Sequence, residues 1–380
     1  MTEFTRRNFV RTAAASLALP ALGRSALAAE PLKVGFVYLG AIGDYGWTWS
    51  HEQGRKALDA ALKGQVVTSY VENVKEDASA VPVMKDLAQQ GNKLIFTTSY
   101  GYMDQTLEAA KQFPDVKWEH CTGYKRADNV GTYNSRFYQG RAVIGTIAGM
   151  MSKSGTIGFV GSFKIPEVVM GVNAFTLAAQ AVNPKITTKL VMIDTWFDPA
   201  KEAAAAETLA NLGCDVIAQH VDSPAVLQVC EKRKIYGFGY GADMSRFAPH
   251  AHLTASLDLW GPYYIERAKA MLDGSWKSDD IWWGFKEGLL AMAPYNKSLP
   301  DNVKAAADKI VADTKAGTYE VFTGPISDQS GKERVAKGQR MEDKDLLGMD
   351  WYVKGVQADR LHPNPSPQGE GRAKRQMRAP

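Results

Sequence analysis

Val34-Gly35-Phe36-Val37 and Ile157-Gly158-Phe159-Val160 are the same short apolar strand written twice, roughly 122 residues apart. The same offset returns further on, where Leu87-Ala88-Gln89-Gln90-Gly91-Asn92-Lys93-Leu94-Ile95 is matched by Leu209-Ala210-Asn211-Leu212-Gly213-Cys214-Asp215-Val216-Ile217. Around these anchors each copy alternates apolar strands with Ala/Leu-rich stretches at helical spacing. Strands are expected near 32–38, 66–71, 94–98 and 117–121, then near 156–160, 188–194, 215–219 and 234–239. Helices are expected over 51–63, 79–90 and 102–112, then over 168–181, 200–212 and 223–233. Short strands joined by helices of this length form parallel sheets through right-handed crossovers. The chain therefore reads as α/β, with two similar doubly wound parallel-sheet lobes.

A helix at Gly261–Leu272 and an apolar stretch at Ile281–Met292 follow the second copy. If they return to the first lobe, several chain crossings join the lobes into a hinged clam with a cleft. The expected organisation is 31–134 plus about 256–285 for the first lobe, and 135–255 plus about 286–356 for the second.

A chain of 380 residues suits two such domains. Its 45% apolar and 23% charged residues are those of a globular protein. The formal charge of +4 is carried by the ends. Arg6, Arg7, Arg11 and Arg24 face only Glu3 at the start, and five Lys or Arg residues face Asp359 and Glu370 at the finish. The part between is slightly acidic, so a basic face of the kind nucleic acid requires is not implied. Residues 1–28 read as an export signal: Arg6-Arg7 resembles a twin-arginine motif, an apolar run spans Thr12 to Leu22, and Ala26-Leu27-Ala28 is a cleavage site of small-x-small type. The apolar run is shorter than the ~20 residues that span a bilayer, so a soluble periplasmic protein cut near Ala28 is expected. Residues 357–380 are rich in Pro, Gly and Arg and are expected to be disordered. Cys121, Cys214 and Cys230 have no metal or redox spacing and are expected to be buried apolar side chains.

In open parallel sheets the ligand sits beyond the carboxyl ends of the strands. That rule selects Gly43-Asp44-Tyr45-Gly46-Trp47, Glu72-Asn73, Ser99-Tyr100 and Thr122-Gly123-Tyr124 from the first lobe. From the second it selects Ser162 to Glu167, Thr195-Trp196-Phe197-Asp198, Val221-Asp222-Ser223 and Tyr240 to Asp243. Aromatic rings and short polar residues crowd these ends. Rings offer stacking area at low entropy cost, and carboxylates read N–H donors on a ligand edge. Asp44, Tyr45, Trp47, Tyr100, Phe163, Glu167, Trp196, Phe197, Asp222, Asp243, Asp258 and Trp260 are the candidate binding residues. Trp47 is one expected jaw, and Trp196 or Phe197 the other. Asp44 also suits a helix N-cap, Asp198 is expected to cap the helix that Pro199 opens, and Asp222 serves equally as a cap or a ligand contact.

Catalytic patterns are absent from the sequence. His51-Glu52 lacks a second His one turn on, His250-Ala251-His252 lacks a third ligand, and Gly237-Phe238-Gly239-Tyr240-Gly241 is not the dinucleotide fingerprint. No phosphate-binding Lys motif or nucleophile elbow occurs. No cofactor and no catalytic residue is expected.

Gly40-Ala41-Ile42-Gly43-Asp44-Tyr45-Gly46-Trp47, Phe137-Tyr138-Gln139-Gly140, Leu212 to Ile217 and Phe322-Thr323-Gly324-Pro325-Ile326 together resemble the basic membrane protein (BMP) family, over roughly residues 32–356. Its members are substrate-binding proteins of ABC importers related to purine nucleoside receptors. The resemblance implies a type I periplasmic-binding-protein fold, a purine base or nucleoside as ligand, an inner-membrane permease as partner, and Asp44 and Trp47 as the carboxylate and the stacking ring of the first loop. Nucleoside-binding members place a Lys after the strand ending near Ser256. Here Thr254-Ala255-Ser256-Leu257-Asp258-Leu259-Trp260 has none, which favours a free base such as adenine or hypoxanthine, with Trp260 in the place of the sugar. A sugar-binding protein, a periplasmic sensor module and an exported nucleoside hydrolase are the alternatives, and the protein is expected to act as a monomer.

Overall fold

The computed structural model describes residues 30–43 and 45–358. The export signal, candidate Asp44 and the tail from Asp359 onward lie outside the described residues. The first lobe opens with β1 (Leu32–Val37), α1 (Trp47–Ala61), β2 (Val66–Val71), α2 (Ala80–Gln89), β3 (Leu94–Thr97), α3 (Met103–Gln112), β4 (Lys117–Cys121) and β5 (Val130–Ser135). After α4 (Phe137–Met151) the second copy runs β6 (Thr156–Gly161), α5 (Pro166–Val182), β7 (Thr187–Met192), α6 (Pro199–Asn211), β8 (Val216–His220), α7 (Ala225–Arg233), β9 (Tyr236–Gly241) and β10 (His252–Asp258). Then come α8 (Gly261–Asp273), β11 (Asp280–Trp283), β12 (Leu290–Met292) and α9 (Asp301–Ala316). The chain finishes with β13 (Ile326–Ser327), β14 (Glu333–Val335), α10 (Asp343–Leu347) and β15 (Val356–Gln357).

One sheet is all parallel in the order β11-β5-β4-β3-β1-β2. The other runs β12-β10-β9-β8-β6-β7-β15, with only β12 antiparallel. The inner order β4-β3-β1-β2 repeats as β9-β8-β6-β7, so the internal repeat is a repeat of topology. Its two best-matched segments touch within each lobe. A Cβ on Gly35 would stand 3.4 Å from Leu87, and one on Gly158 would stand 3.1 Å from Leu209. A strand without a Cβ at that point lets the helix seat its Leu on the sheet. This contact explains why both segments match at one offset.

The repeat also runs further than its sequence shows. β5 and β10 hold equivalent places beside β4 and β9, and each is followed by a helix that leaves its sheet. α4 packs on α5 and α9 of the second lobe, whereas α8 packs on α1 and β1 of the first. Each lobe is thus closed by a helix that follows a strand of the other lobe. α8 is held by Glu119 of β4, which is wholly buried and accepts hydrogen bonds from Arg267 Nε at 2.6 Å, the Tyr263 hydroxyl at 2.6 Å and Trp276 Nε1 at 2.7 Å. The Ile281–Met292 stretch is divided between the sheets, its first part in β11 and its last in β12. The turn between them needs a left-handed residue, supplied by Gly288 at φ 80°. Gln357, assigned to the tail from composition, pairs with Lys189 as the last residue of β15.

The segments that cross between lobes are tied to one another. The backbone N–H of Arg136 donates to Trp283 O at 2.7 Å, that of Phe285 donates to Gln139 Oε1 at 3.0 Å, and that of Leu259 donates to Leu289 O at 2.8 Å. Cys121, Cys214 and Cys230 are buried free thiols. Among the described residues no helix is long and apolar enough to cross a membrane.

Removing the Glu119 carboxylate leaves the Arg267 guanidinium buried without its counter-charge, a change that costs about 3–5 kcal/mol. Glu119→Ala is therefore expected to lower unfolding free energy by about that amount in urea titration, with Glu119→Gln losing less because it retains an acceptor.

Candidate ligand cleft

The carboxyl ends of the two sheets face each other across a narrow slot lined by Leu39, Trp47, Ser99, Tyr100, Thr122, Glu167, Trp196, Asp222 and Tyr240. Trp47 opens α1 and is fixed from behind. Its indole N–H donates to Thr98 O at 2.6 Å, and its ring meets Trp260 edge-on at 5.5 Å and His51 at 4.5 Å. Trp196 is held differently, on a loop. Its indole N–H reaches across the cleft to Glu76 Oε2 at 3.2 Å, its ring stands edge-on to Phe163 at 5.1 Å, and its carbonyl accepts from the Asp222 backbone N–H at 3.0 Å. Beneath these loops the buried Glu202 carboxylate accepts from the Asp198 and Ser223 backbone N–H groups and from the Ser223 hydroxyl.

Of the candidates, Trp47, Tyr100, Glu167, Trp196 and Asp222 come together on the slot. Phe163 backs Trp196. Tyr45 lies at the junction of the lobes, its hydroxyl accepting from Arg246 Nη1 at 2.6 Å and its ring edge-on to Phe247 at 5.4 Å. Phe197 is 52% exposed and does not line the slot. Asp243 is exposed and accepts from the Ser245 backbone N–H, which makes it the cap of a short turn. Asp198 caps α6 by accepting from the Ala200 and Lys201 N–H groups. Trp260 is corrected by the structure. It is fully buried in the first-lobe core, stacked on His51 at 4.5 Å, and supports Trp47 from behind instead of occupying a sugar's place.

Asp258 lies one layer below the slot in a buried polar cluster with Arg141, Glu167, His220 and Tyr240. Arg141 Cζ stands 4.6 Å over the Tyr240 ring, and all three guanidinium nitrogens lack a hydrogen-bond partner, as does Asp258 Oδ2. His220 Nε2 lies 2.8 Å from the Tyr240 hydroxyl and 3.2 Å from Glu167 Oε1. Burial pushes the Glu167 carboxyl up to about 8, with Asp258 adding to the rise and Arg141 opposing it. Burial likewise raises Asp258 to about 7 against the pull of Arg141. His220 is driven well below its ordinary value by burial and by Arg141, so it is neutral. Arg141 was not among the sequence candidates, although it is the single charged residue in the run Phe137 to Met151. Among the described residues no group of three His, Cys, Asp or Glu is placed to hold a metal ion.

The lobes are closed on the slot. A Cβ on Gly46 would come within 2.3 Å of the Asp222 carbonyl oxygen, so the first loop meets the second lobe through a residue that has none. With Tyr45 on Arg246 and Trp196 on Glu76, this makes three contacts between the lobes around the cleft.

Two similar α/β lobes, crossed by three chain segments and closed on an aromatic slot, define a bilobal solute receptor. The family model for ABC transporter substrate-binding proteins of the PnrA-like type (Bmp) matches residues 32–323, and the chain belongs to that family. It is 54% identical over 335 residues to a purine-binding protein of Brucella abortus, covering 88% of this chain and 95% of that one. A Haloferax volcanii protein whose provisional name is ABC transporter glucose-binding protein is 35% identical over 288 residues, covering 75% of this chain and 73% of the relative. Among solved structures, a solute-binding protein of an ABC transporter system from Aeropyrum pernix superposes with a TM-score of 0.65 at 14% identity, over 84% of this chain and 98% of that one, which bears on the fold alone. The fold is that of type I periplasmic binding proteins. Family members bind small molecules, work with ABC permeases, and are exported to act outside the cytoplasm.

Gly46→Ala is expected to hold the lobes apart, because the added methyl meets backbone that cannot rotate away. Small-angle scattering on the ligand-free proteins should show a larger radius of gyration for the variant, with melting temperature little changed.

Proposed function

We propose that the protein captures a purine base, adenine or hypoxanthine before a nucleoside, between its lobes and presents the closed complex to an ABC permease of the inner membrane. The observation that carries this is the slot itself. It is small, has one tryptophan from each lobe on its lining, and has carboxyl groups at its edge. A flat ring with polar edges, held between the two tryptophans as the lobes close on it, satisfies both features at once. The purine-binding name of the 54% identical Brucella protein supports the same choice. The absence of a Lys between Thr254 and Trp260 supports a base over a nucleoside.

The protein acts as a monomer and by closure without chemistry. The ligand spans both walls, and only its stronger interaction with the closed form shifts the equilibrium, since equal affinity for open and closed would move nothing. Export across the inner membrane places this binding in the periplasm, and cleavage near Ala28 releases the mature chain.

The test is to purify the exported protein without denaturation, release any bound molecule, and record its mass and ultraviolet spectrum. A purine is expected. Calorimetry should then show adenine or hypoxanthine binding, with Trp47→Ala and Trp196→Ala each weakening it at least ten-fold, about 1.4 kcal/mol. Glucose binding without purine binding would instead favour the Haloferax relative's ligand and overturn the purine assignment. Nucleoside turnover lost on mutating one Asp would overturn binding without chemistry.

A further inference from the structure

Glu167 is the residue at which the slot meets the buried charge cluster. It sits in the first turn of α5, behind Pro166, with 11% of its side chain exposed and its carboxyl on the slot lining. The groups around it come from every neighbouring element. Arg141 faces it from α4, His220 and Asp222 from the end of β8, Tyr240 from β9 and Asp258 from β10. Tyr100 and the Cys121 thiol face it from the first lobe, and Lys344 of α10 lies on the outer opening past the same helix end.

Counting charge in this cluster is decisive. Arg141 is the one buried cation, and among the described residues no Lys or Arg nitrogen comes within salt-bridge distance of Glu167, whose only such neighbour is His220. His220 is neutral, and burial keeps the Tyr240 hydroxyl and the Cys121 thiol protonated. Three carboxyls, Glu167, Asp258 and Asp222, therefore face one positive charge. With no proton on them the cluster is negative where water is scarce, and a proton on Glu167 brings it closer to neutral. The cluster also has hydrogen-bonding capacity left over, on the three Arg141 nitrogens, on Asp258 Oδ2 and on His220 Nδ1.

We propose that Glu167 meets the ligand as a neutral carboxyl, donating its O–H to a ring nitrogen and accepting from the N–H beside it. The slot then selects planar heterocycles with an acceptor and a donor adjacent on one edge. This rests on the purine reading and narrows it: adenine presents such pairs at N7 with its amino group and at N3 with N9–H. An ionised carboxylate offers acceptors only, and would face a ring-nitrogen lone pair with another lone pair. Affinity should therefore fall as Glu167 loses its proton, because only the protonated fraction is competent to bind.

Adenine is the probe, titrated by calorimetry between pH 6 and 9. The expected result is a dissociation constant nearly constant up to pH 7 and roughly ten-fold weaker at pH 9, since the competent fraction falls by about ten per pH unit above the titration midpoint. Glu167→Gln keeps one donor and one acceptor and cannot ionise. Whatever its affinity, its profile should be flat within about two-fold over the same range, as the competent fraction no longer changes. A flat wild-type profile would overturn the inference and leave purine binding intact. A dependence that survives in Glu167→Gln and vanishes in Asp258→Asn would overturn it by placing the proton on Asp258. Failure of adenine to bind at any pH would overturn the purine reading together with the donor role. Infrared difference spectra of the ligand-free protein between pH 7 and 9 separate the two failures: a protonated-carboxyl band lost on raising the pH, and missing in Glu167→Gln, locates the proton on Glu167 independently of any ligand.

Discussion

Everything in this molecule is positioned by the hydrogen bonds that tie its three crossing segments together. Arg136 to Trp283, Gln139 to Phe285 and Leu259 to Leu289 bind the crossings side by side at one edge of both sheets. Because α4 and α8 each cover the lobe opposite to the strand they follow, neither lobe has a finished core without the other's chain. Separation and sliding are thereby blocked, and the motion left is a pivot about the crossings. The slot lies between the strand ends because that pivot brings those ends together.

The two walls of the slot are built to different standards of rigidity. Trp47 is held by the core of its lobe, through Thr98, His51 and Trp260, and cannot move without it. Trp196 sits on a loop fixed by the Asp222 backbone and by the three hydrogen bonds that Glu202 accepts, and reaches over the cleft to Glu76. One ring is a fixed platform and the other travels with the closing lobe. The buried cluster around Arg141 lies under the second wall, so the charged groups beneath the slot belong to the second lobe.

The lobes were legible in the sequence because their strands are short apolar runs and because the two repeated segments are in physical contact. What was hidden is equally specific. β5, Val130-Gly131-Thr132-Tyr133-Asn134-Ser135, is half polar; Thr132 is buried by donating to Asp280 Oδ1, so hydrophobicity does not mark it. α4 contains Gly140, Gly145 and Gly149, poor helix formers, and keeps them because Ser256 and the α5 backbone come within what would be Cβ contact. At the cleft, the strand-end rule selected every lining residue except Leu39. It could not say which side chains turn inward: Tyr45 and Tyr240 look alike as sequence, yet one joins the lobes at Arg246 and the other lines the slot. Arg141 escaped the rule altogether, since it lies within a helix.

The three buried thiols bear on how such a chain can be made. Cys121 lies in one lobe and Cys214 and Cys230 in the other, all reduced and sealed among apolar side chains. No covalent cross-link contributes to the fold, so folding does not wait for an oxidant, and an oxidant cannot reach sulfur until the lobes have opened their cores. Formation of this fold therefore includes no oxidation step, in a reducing or an oxidising compartment alike.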